Sequence, residues 1–468
     1  MWLSFLIVAA GVFMSTMDGS MVNIALPAIM DELQAPLRST EWVVMIYLLT
    51  ITATLLFWGY LADRIGRRRI YAVGMLVFAL GSLACFLAPQ LRWLVLARLG
   101  QALGAAMMMA TGPAMVKEIF PPGQLGRGLG LIGIAVSLGL MAGPAIGGFL
   151  LDAFSWRAIF LVTVPVGLAL FAPALRLLPP DRAAGWRRFD AAGAMLWLLA
   201  LTAIVVALSR ASAPKGAGAS DLLLLAGGIL ILGLLVKVEL LVSHPFLPLH
   251  LFREGFFSIG MASAVLSFVL LFTVLLLIPF YLDRILGLSG THLGLVMMAT
   301  PATVLVVAPI AGRLADRIGS RLLTTAGMLL SSTGLLLLAN LTPGQQPWEV
   351  AWRMALMGFG QALFLSPNSA SVLGGVDKHY VGTASALLAT ARNLGMLLGI
   401  AQAGLLFSLF FGAYSGGLDL HLFSPAHTGA FMLGLNHSLL ITAGIGLAGA
   451  AISWRRESEG LEPPSGRS

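Results

Sequence analysis

Apolar runs of membrane-crossing length, separated by short polar loops, follow one another along the whole chain. A helix needs about 20 apolar residues to cross the hydrocarbon of a bilayer. Such runs stand at 3–27, 41–62, 70–88, 92–116, 128–151, 157–178, 190–209, 221–242, 256–281, 291–311, 322–340, 349–371, 381–411 and 429–453. They predict fourteen transmembrane helices, and therefore an all-α polytopic membrane protein. The run at 381–411 is longer than a bilayer requires, so it is expected to tilt, kink or protrude. The opening run, MWLSFLIVAAGVFM, has no basic leader and no convincing cleavage site. It is expected to be retained as the first helix and not removed as a signal peptide.

Composition narrows the function classes. Of 468 residues, 58% are hydrophobic and 10% charged, whereas a soluble domain needs about one-quarter charged residues to wet its surface. The net charge of +8 could suggest nucleic acid. The basic residues are instead scattered through short loops, with no patch of interleaved aromatics, which excludes that reading. They do set an orientation. With the N-terminus in the cytoplasm, eighteen Lys and Arg fall on the cytoplasmic side, including Arg182, Arg187, Arg188, Lys378 and Arg467. Six fall outside: Arg38, Arg92, Arg157, Arg210, Lys215 and Arg284. This positive-inside bias and the even number of spans place both termini in the cytoplasm. The single cysteine, Cys85, has no partner for a disulfide and reads as a small buried hydrophobe. The histidines show no metal-ligand spacing, and no GxxxxGK[ST] run is present, so neither a metal site nor ATP as energy source is expected.

The chain repeats itself. GYLADRIGRRR at 59–69 is echoed by GRLADRIGSR at 312–321, an offset of 253 residues. Arg98, opening RLGQALG, is echoed at nearly the same offset by Arg353, opening RMALMGFGQAL. Two unrelated echoes at one offset indicate a duplicated six-helix unit with two helices inserted between the copies. The expected domains are residues 1–180, a six-helix half; 181–250, two inserted helices; 251–454, the second half; and 455–468, a cytoplasmic tail. Paired halves around a central cavity are a transporter plan.

Within this plan a few residues carry candidate chemistry. In the first repeat loop, Gly59 and Gly66 allow close backbone approach. Asp63 can serve as the anion at a neighbouring helix N-terminus. Arg64, Arg67 and Arg68 can reach acids or carbonyls at the ends of other helices, in contacts that form in one conformation and break in another. Gly312, Asp316, Arg317 and Gly319 repeat the pattern, which weighs against a loop serving topology alone. Asp18 lies about two-thirds of the way across the first span. A charged carboxylate near a helix centre costs at least roughly 2.5–3.5 kcal/mol and is a functional-site hypothesis by default. Asp18 could hold a proton, or release it and hold a cationic substrate, but not both. The plainer alternative is an acid satisfied by Ser15, Ser20, Asn23 or a neighbouring helix. Arg98 needs an acceptor if buried, and Asp18 stands at the right depth; otherwise Arg98 snorkels to the outer interface. Gly139, Gly143 and Gly147, with Pro144 and Gly148 beside them, give one helix face to close packing and a kink.

These stretches resemble the major facilitator superfamily, in which the 59–69 loop is the signature between helices two and three. MDGSMVNIALP (17–27), Leu96-Ala97-Arg98 with Gln101 and Gly104, GLMAGPAIGG (139–148) with SWRAIFLVTVPVG (155–167), and RNLGMLLGIA (392–401) resemble its fourteen-helix drug:proton antiporter branch. The resemblance covers nearly the whole chain. It implies the major facilitator fold, no enzymatic activity and no cofactor, with the proton gradient as energy source. It also implies that Asp18 and Arg98 take part in proton coupling, and that the 139–148 helix seals one side of the cavity. The expected function is export of small lipophilic or amphipathic compounds, monocationic or neutral, since the tenth and eleventh spans carry no acid at depth. Specific metabolite export, lipid movement between leaflets and a non-transporting sensor of the same fold are the alternatives. Expected partners are a small-molecule substrate, protons and the lipid bilayer. A monomer in a bacterial inner membrane is expected. Asn23, Tyr47, Gln101, Met108 and Asn393 are candidate cavity-lining residues, although packed or lipid-facing positions are the commoner case for a methionine.

Overall fold

The computed structural model describes residues 1–121, 124–181, 190–212, 218–242, 245–377 and 379–456. Arg182, Arg187, Arg188, Lys215, Lys378 and Arg467, counted above for orientation, lie outside the described residues, as does the tail from 457. Among the described residues, fourteen long helices stand where the fourteen apolar runs predict them. The first six are α1 (Trp2–Glu32), α2 (Trp42–Ile65), α3 (Arg67–Phe86), α4 (Leu91–Ile119), α5 (Leu125–Ala153) and α6 (Thr163–Leu177). Then come α7 (Ala191–Ala211), α8 (Ala219–Glu239), α9 (Gly255–Arg284), α10 (Ala299–Ile318) and α11 (Ser320–Ala339). The last three are α12 (Pro347–Gly374), α13 (Val381–Ser415) and α14 (Thr428–Trp454). An eight-residue helix, Gly290–Met297, leads into α10.

Thirteen helical segments among the described residues are long and apolar enough to cross a membrane; α12 is not among them. Its 28 residues include Glu349, Arg353, Gln361, Asn368 and three serines. Gln361 and Asn368 are served inside the bundle by α9, and α12 packs against α10 and α11. A helix surrounded by other helices does not need the hydropathy of one that faces lipid. The 35 residues of α13 form one uninterrupted helix with a length of about 50 Å at 1.5 Å per residue. It therefore exceeds the hydrocarbon thickness, as its run of apolar residues predicts.

The duplication is visible in the packing. In the first half α1 packs on α5, α2 on α4, α3 on α4 and α3 on α6. In the second half α9 packs on α13, α10 on α12, α11 on α12 and α11 on α14. The glycines follow the same register. A Cβ on Gly74 would lie 2.9 Å from the Gly104 carbonyl oxygen, and one on Gly327, 253 residues later, 2.6 Å from that of Gly360. Gly81 and Gly334 press likewise against backbone atoms of Gln101 and Met357. Small residues at these seams let helix backbones touch, which supplies the dispersion energy that holds helices together in lipid.

The inserted pair straddles the boundary between the halves. α7 packs on α2 and on α13, and α8 packs on α7. Trp197 of α7 donates to the Thr52 carbonyl at 3.2 Å, and Trp42 donates to Ser209 Oγ at 2.8 Å. The best apolar stretch of α8 is only 11% buried, so this helix lies on the periphery. The chain's first residue and the 59–69 and 312–321 loops lie at one end of the bundle, here termed the basic face; the other end is the opposite face.

We expect Gly81→Leu to lower stability by about 1–3 kcal/mol through overpacking of the α3–α4 seam. Gly100, whose Cβ would meet nothing within 4 Å, should accept the same change within about 0.5 kcal/mol. Thermal unfolding in detergent checks both; equal losses would contradict the seam.

Candidate functional site

At the centre of the first half a carboxylate and a guanidinium are sealed together. Asp18 is 1% exposed and Arg98 0%. Arg98 Nη1 donates to Asp18 Oδ2 at 2.5 Å and to Gln101 Oε1 at 2.6 Å, and Arg98 Nε donates to the Val43 carbonyl at 3.0 Å. Gln101 Nε2 donates to Asp18 Oδ1 at 2.8 Å and to Ser82 Oγ at 2.7 Å. Thr163 closes the chain by donating to Ser82 at 3.0 Å. The Arg98 guanidinium also lies 4.2 Å from the Tyr47 ring centroid, and Tyr47 donates to the Ser15 carbonyl at 3.2 Å. Arg98 therefore does not snorkel. Its three-residue spacing from Gln101 puts both side chains on one face of α4, aimed at α1. Ser15 and Ser20 bond backbone carbonyls, so neither satisfies Asp18.

The second half joins the corresponding helices by a different, uncharged contact. Ser267 of α9 donates to Gln361 Oε1 at 2.9 Å, and Gln361 Nε2 donates back to the Ser267 carbonyl at 2.8 Å. In the packing register it is Met357, against Gly334, that stands where Gln101 stands against Gly81. Arg353 turns away to Gln345 at 2.7 Å. The acid and its arginine partner belong to one half only.

The repeated loops differ in their closure. Asp63, read from sequence as an anion for a neighbouring helix N-terminus, instead pairs with Arg67 one turn on at 2.7 Å, and Arg67 also reaches Glu118 of α4 at 2.6 Å. The anion at the start of α3 is Asp181, which accepts from the Arg68 backbone N–H at 2.8 Å and faces Arg69 at 3.5 Å. Gly66 adopts φ +113°, and the Asp181 carboxyl fills the place a side chain would take, so glycine is required there twice over. Gly319 has φ +85° in the equivalent turn. Asp316 and Arg317 are exposed and make no ion pair among the described residues. A Cβ on Gly59 would meet nothing within 4 Å, whereas one on Gly312 would lie 2.8 Å from Ser366 Oγ. Arg64 is exposed.

The 139–148 helix joins the halves. Gly139, Gly143 and Gly147 face α1, where Cβ atoms on the first two would lie 2.8 Å from the Phe13 and Met17 carbonyls. On the other side Gly148 touches Gly290, and the Pro144 carbonyl meets Gly294, both from the second half. Asp152 at the end of α5 accepts from the Gly290 and Thr291 N–H groups at 2.7 and 2.8 Å. It satisfies donors that the Gly290–Met297 helix leaves unpaired. Arg284 of α9 reaches Asp31 of α1 across the halves and Asp283 beside it at 3.5 Å. All these ties lie on the opposite face, which is shut. A cleft of about 440 Å³ remains there, lined in part by Glu32, Asp152 and Asp283.

The candidate cavity-lining residues do not line an open cavity in this conformation. Asn23, Tyr47, Gln101, Met108 and Asn393 are all buried. Tyr47 and Gln101 belong to the ion-pair network, Met108 packs against Gly11 and Gly74, and Asn393 bonds the Ala389 carbonyl at 2.9 Å. The Asn23 amide has no hydrogen-bond partner among the described residues. Sequence reasoning missed Asp181, Glu118, Asp31 and Asp152. Each is a loop or helix-end acid whose partner is far along the chain, and no local pattern marks it.

With the geometry described, comparison places the chain among known proteins. The sequence model of the Major Facilitator Superfamily matches residues 8–400 and 258–465. The chain is 33% identical over 453 residues to the riboflavin transporter RibZ of Clostridioides difficile (strain 630), covering 97% of this chain and 96% of that protein. It is 31% identical over 421 residues to the multidrug resistance protein Stp of Mycobacterium tuberculosis (strain CDC 1551 / Oshkosh), covering 90% and 78%. Among solved structures, a bacterial homologue of the human lysosomal transporter Spinster, inward-facing and unoccupied, superposes with TM-score 0.69 at 17% identity, covering 96% of this chain and 95% of that one.

Removing one member of the buried pair should cost more than removing both. We expect Arg98→Met to destabilise by about 3–5 kcal/mol, because it strands a carboxylate. Arg98→Met combined with Asp18→Leu should recover much of that loss. Denaturation in detergent measures the cycle; equal losses in single and double variants would contradict the pairing.

Proposed function

The chain belongs to the major facilitator superfamily, and from that premise we propose that it is a proton-coupled antiporter exporting small lipophilic or amphipathic compounds. It is a membrane transporter and not an enzyme. The observation that carries the finer reading is the sealed Asp18–Arg98–Gln101 network. Asp18 has two states available: an anion held by Arg98 and Gln101, or a neutral acid that releases Arg98. Protonation therefore changes what Arg98 must bind, and Arg98 also holds the Val43 carbonyl at the start of α2. A proton at Asp18 is thus linked to the placement of a helix that meets the second half.

In this reading the basic face is cytoplasmic, following the positive-inside bias, and the shut opposite face is external. The structure then corresponds to a stage of the cycle in which the external face is shut. Substrate enters from the cytoplasm, the ties of Arg284 and Asp152 break as the outer face opens, and protons entering at Asp18 reset the carrier. A bacterial inner membrane and a monomeric unit complete the reading. No cofactor is required, the energy coming from the proton gradient. A monocationic or neutral substrate fits best: Asp18 already has an internal counter-ion, and α10 and α11 bring no acid within the bundle.

A second reading, export or exchange of one specific metabolite, draws support from the riboflavin transporter, which matches almost end to end. Riboflavin is therefore a test compound beside ethidium-like monocations.

Liposomes holding the purified protein and a pH-sensitive dye separate these readings. Adding ethidium should drive protons in the opposite direction, and Asp18→Asn should abolish that exchange. If Asp18→Asn exchanges as fast as the unaltered protein, Asp18 does not carry coupling. If riboflavin alone is moved, the specific-metabolite reading stands in place of broad export.

A further inference from the structure

We propose that Glu41 is a second proton-binding site, which sets whether the opposite face of the bundle is shut or open. Glu41 opens α2 and is 0% exposed, and neither carboxylate oxygen has a hydrogen-bond partner among the described residues. It does not lie within one half. α13 of the second half crosses directly over it, and a Cβ on Gly404 would collide with the Glu41 carboxyl. The bare backbone of Gly404 is what lets the two halves close on this acid. Beside it the seam is tied by the Leu37 N–H, which donates to Asp419 Oδ1 at 3.2 Å.

An ionised carboxylate without donors is disfavoured in such a place, and a neutral one is tolerated. The charged and titratable groups around it deepen the contrast. From the loop after α13, Asp419 acts on Glu41 with like charge. Asp419 itself is well served, accepting from the Leu37 and His421 N–H groups and facing His421 Nδ1 at 2.9 Å. Of these two neighbouring acids, Asp419 is the one with hydrogen-bond donors and Glu41 the one without among the described residues. No cation among the described residues is paired with Glu41. On α4, Arg98 is engaged by Asp18. Arg38, on the short helix before α2, is exposed. On α7, Arg210 is largely exposed and faces Asp221 at 3.6 Å. α13 brings Gly404 against the carboxyl, and its titratable residues, Arg392 and Tyr414, stand more than two helical turns from Gly404 along the helix.

The sign follows from linkage. With the seam shut, Glu41 binds a proton; with the halves parted it meets water and ionises beside Asp419, and the two anions repel. The shut form binds more protons, so acid favours it and base opens the face. Val43, two residues beyond Glu41, gives its carbonyl to Arg98, which connects this seam to the Asp18 network. The proposal rests on the alternating-access part of the reading above and not on Asp18 as the coupling acid. With that face external, acid outside would return the carrier to its externally shut form after substrate release.

The test is a distance measurement between spin labels on Phe154→Cys and Leu422→Cys, which replace exposed residues at that face in the two halves. In the unaltered background, raising the pH from about 5 to about 8 should increase the separated population by roughly tenfold or more. Glu41→Gln should reduce the change to less than about twofold over the same range, with the face held shut, whereas Glu41→Asp should keep the pH response. Asp419→Asn and Asp18→Asn should each retain a pH-dependent shift. A pH response undiminished in Glu41→Gln, or absent from the unaltered background, would overturn the proposal. Should Asp18→Asn exchange protons normally while Glu41→Gln loses the distance change, the coupling role of Asp18 fails and the role of Glu41 stands.

Discussion

Taking a carboxylate and a guanidinium out of water costs several kcal/mol per ion even after relaxation, and the first half is built to offset that cost at Asp18 and Arg98. Arg98 Nη1, Arg98 Nε and Gln101 Nε2 are all directed at acceptors, and Tyr47 covers the guanidinium face. The α3–α4 glycine seam brings Ser82 and Gln101 close enough to join the same network. The second half joins α9 and α12 through Ser267 and Gln361, and places Met357 where the first half has Gln101. Duplication thus supplied two similar helix packings, and the buried acid–arginine pair occupies one of them.

The contacts between the halves are of a different kind. Within each half, glycines let helix backbones meet over long stretches. Between the halves, on the shut face, α5 meets the Gly290–Met297 helix backbone to backbone at Pro144 and Gly148, and individual polar ties stand beside that contact: Arg284 with Asp31, Asp152 with the start of the short helix, Asp419 with the Leu37 N–H. Polar contacts at water-accessible ends exchange readily for water, because the net worth of each is small. A bundle with several long seams inside each half and fewer between them is suited to rock as two bodies. The inserted helices bear on this motion, since α7 touches both α2 and α13.

The architecture was largely legible in the sequence because lipid imposes a simple rule. Backbone groups must be satisfied within helices, so apolar length predicts them. α12 shows the limit of that rule: its run at 349–371 is the least apolar of the fourteen, falling short of the hydropathy that the other spans reach, and Gln361 and Asn368 within it are bonded by neighbouring side chains or backbone. Asp18 and Arg98 stood out because charged residues at depth are rare, and their depths matched. The partners of the loop acids were not legible. Asp63 reads as a helix-end anion, yet Asp181, 113 residues from Arg68, fills that role. Nor were the buried states of Asn23, Met108 and Asn393 legible, since sequence cannot tell which face of a transporter is shut. Glu41 looked like the polar start of a span; only the passage of Gly404 over it makes its burial apparent.

The central claim is that Asp18 gives up a proton as the carrier takes up substrate. Proton release from the detergent-solubilised protein in weakly buffered solution, recorded as ethidium is added, tests it most directly. The account predicts release that saturates with binding and is lost in Asp18→Asn. Saturable ethidium binding with no proton release from the unaltered protein, at any pH where it binds, would contradict it.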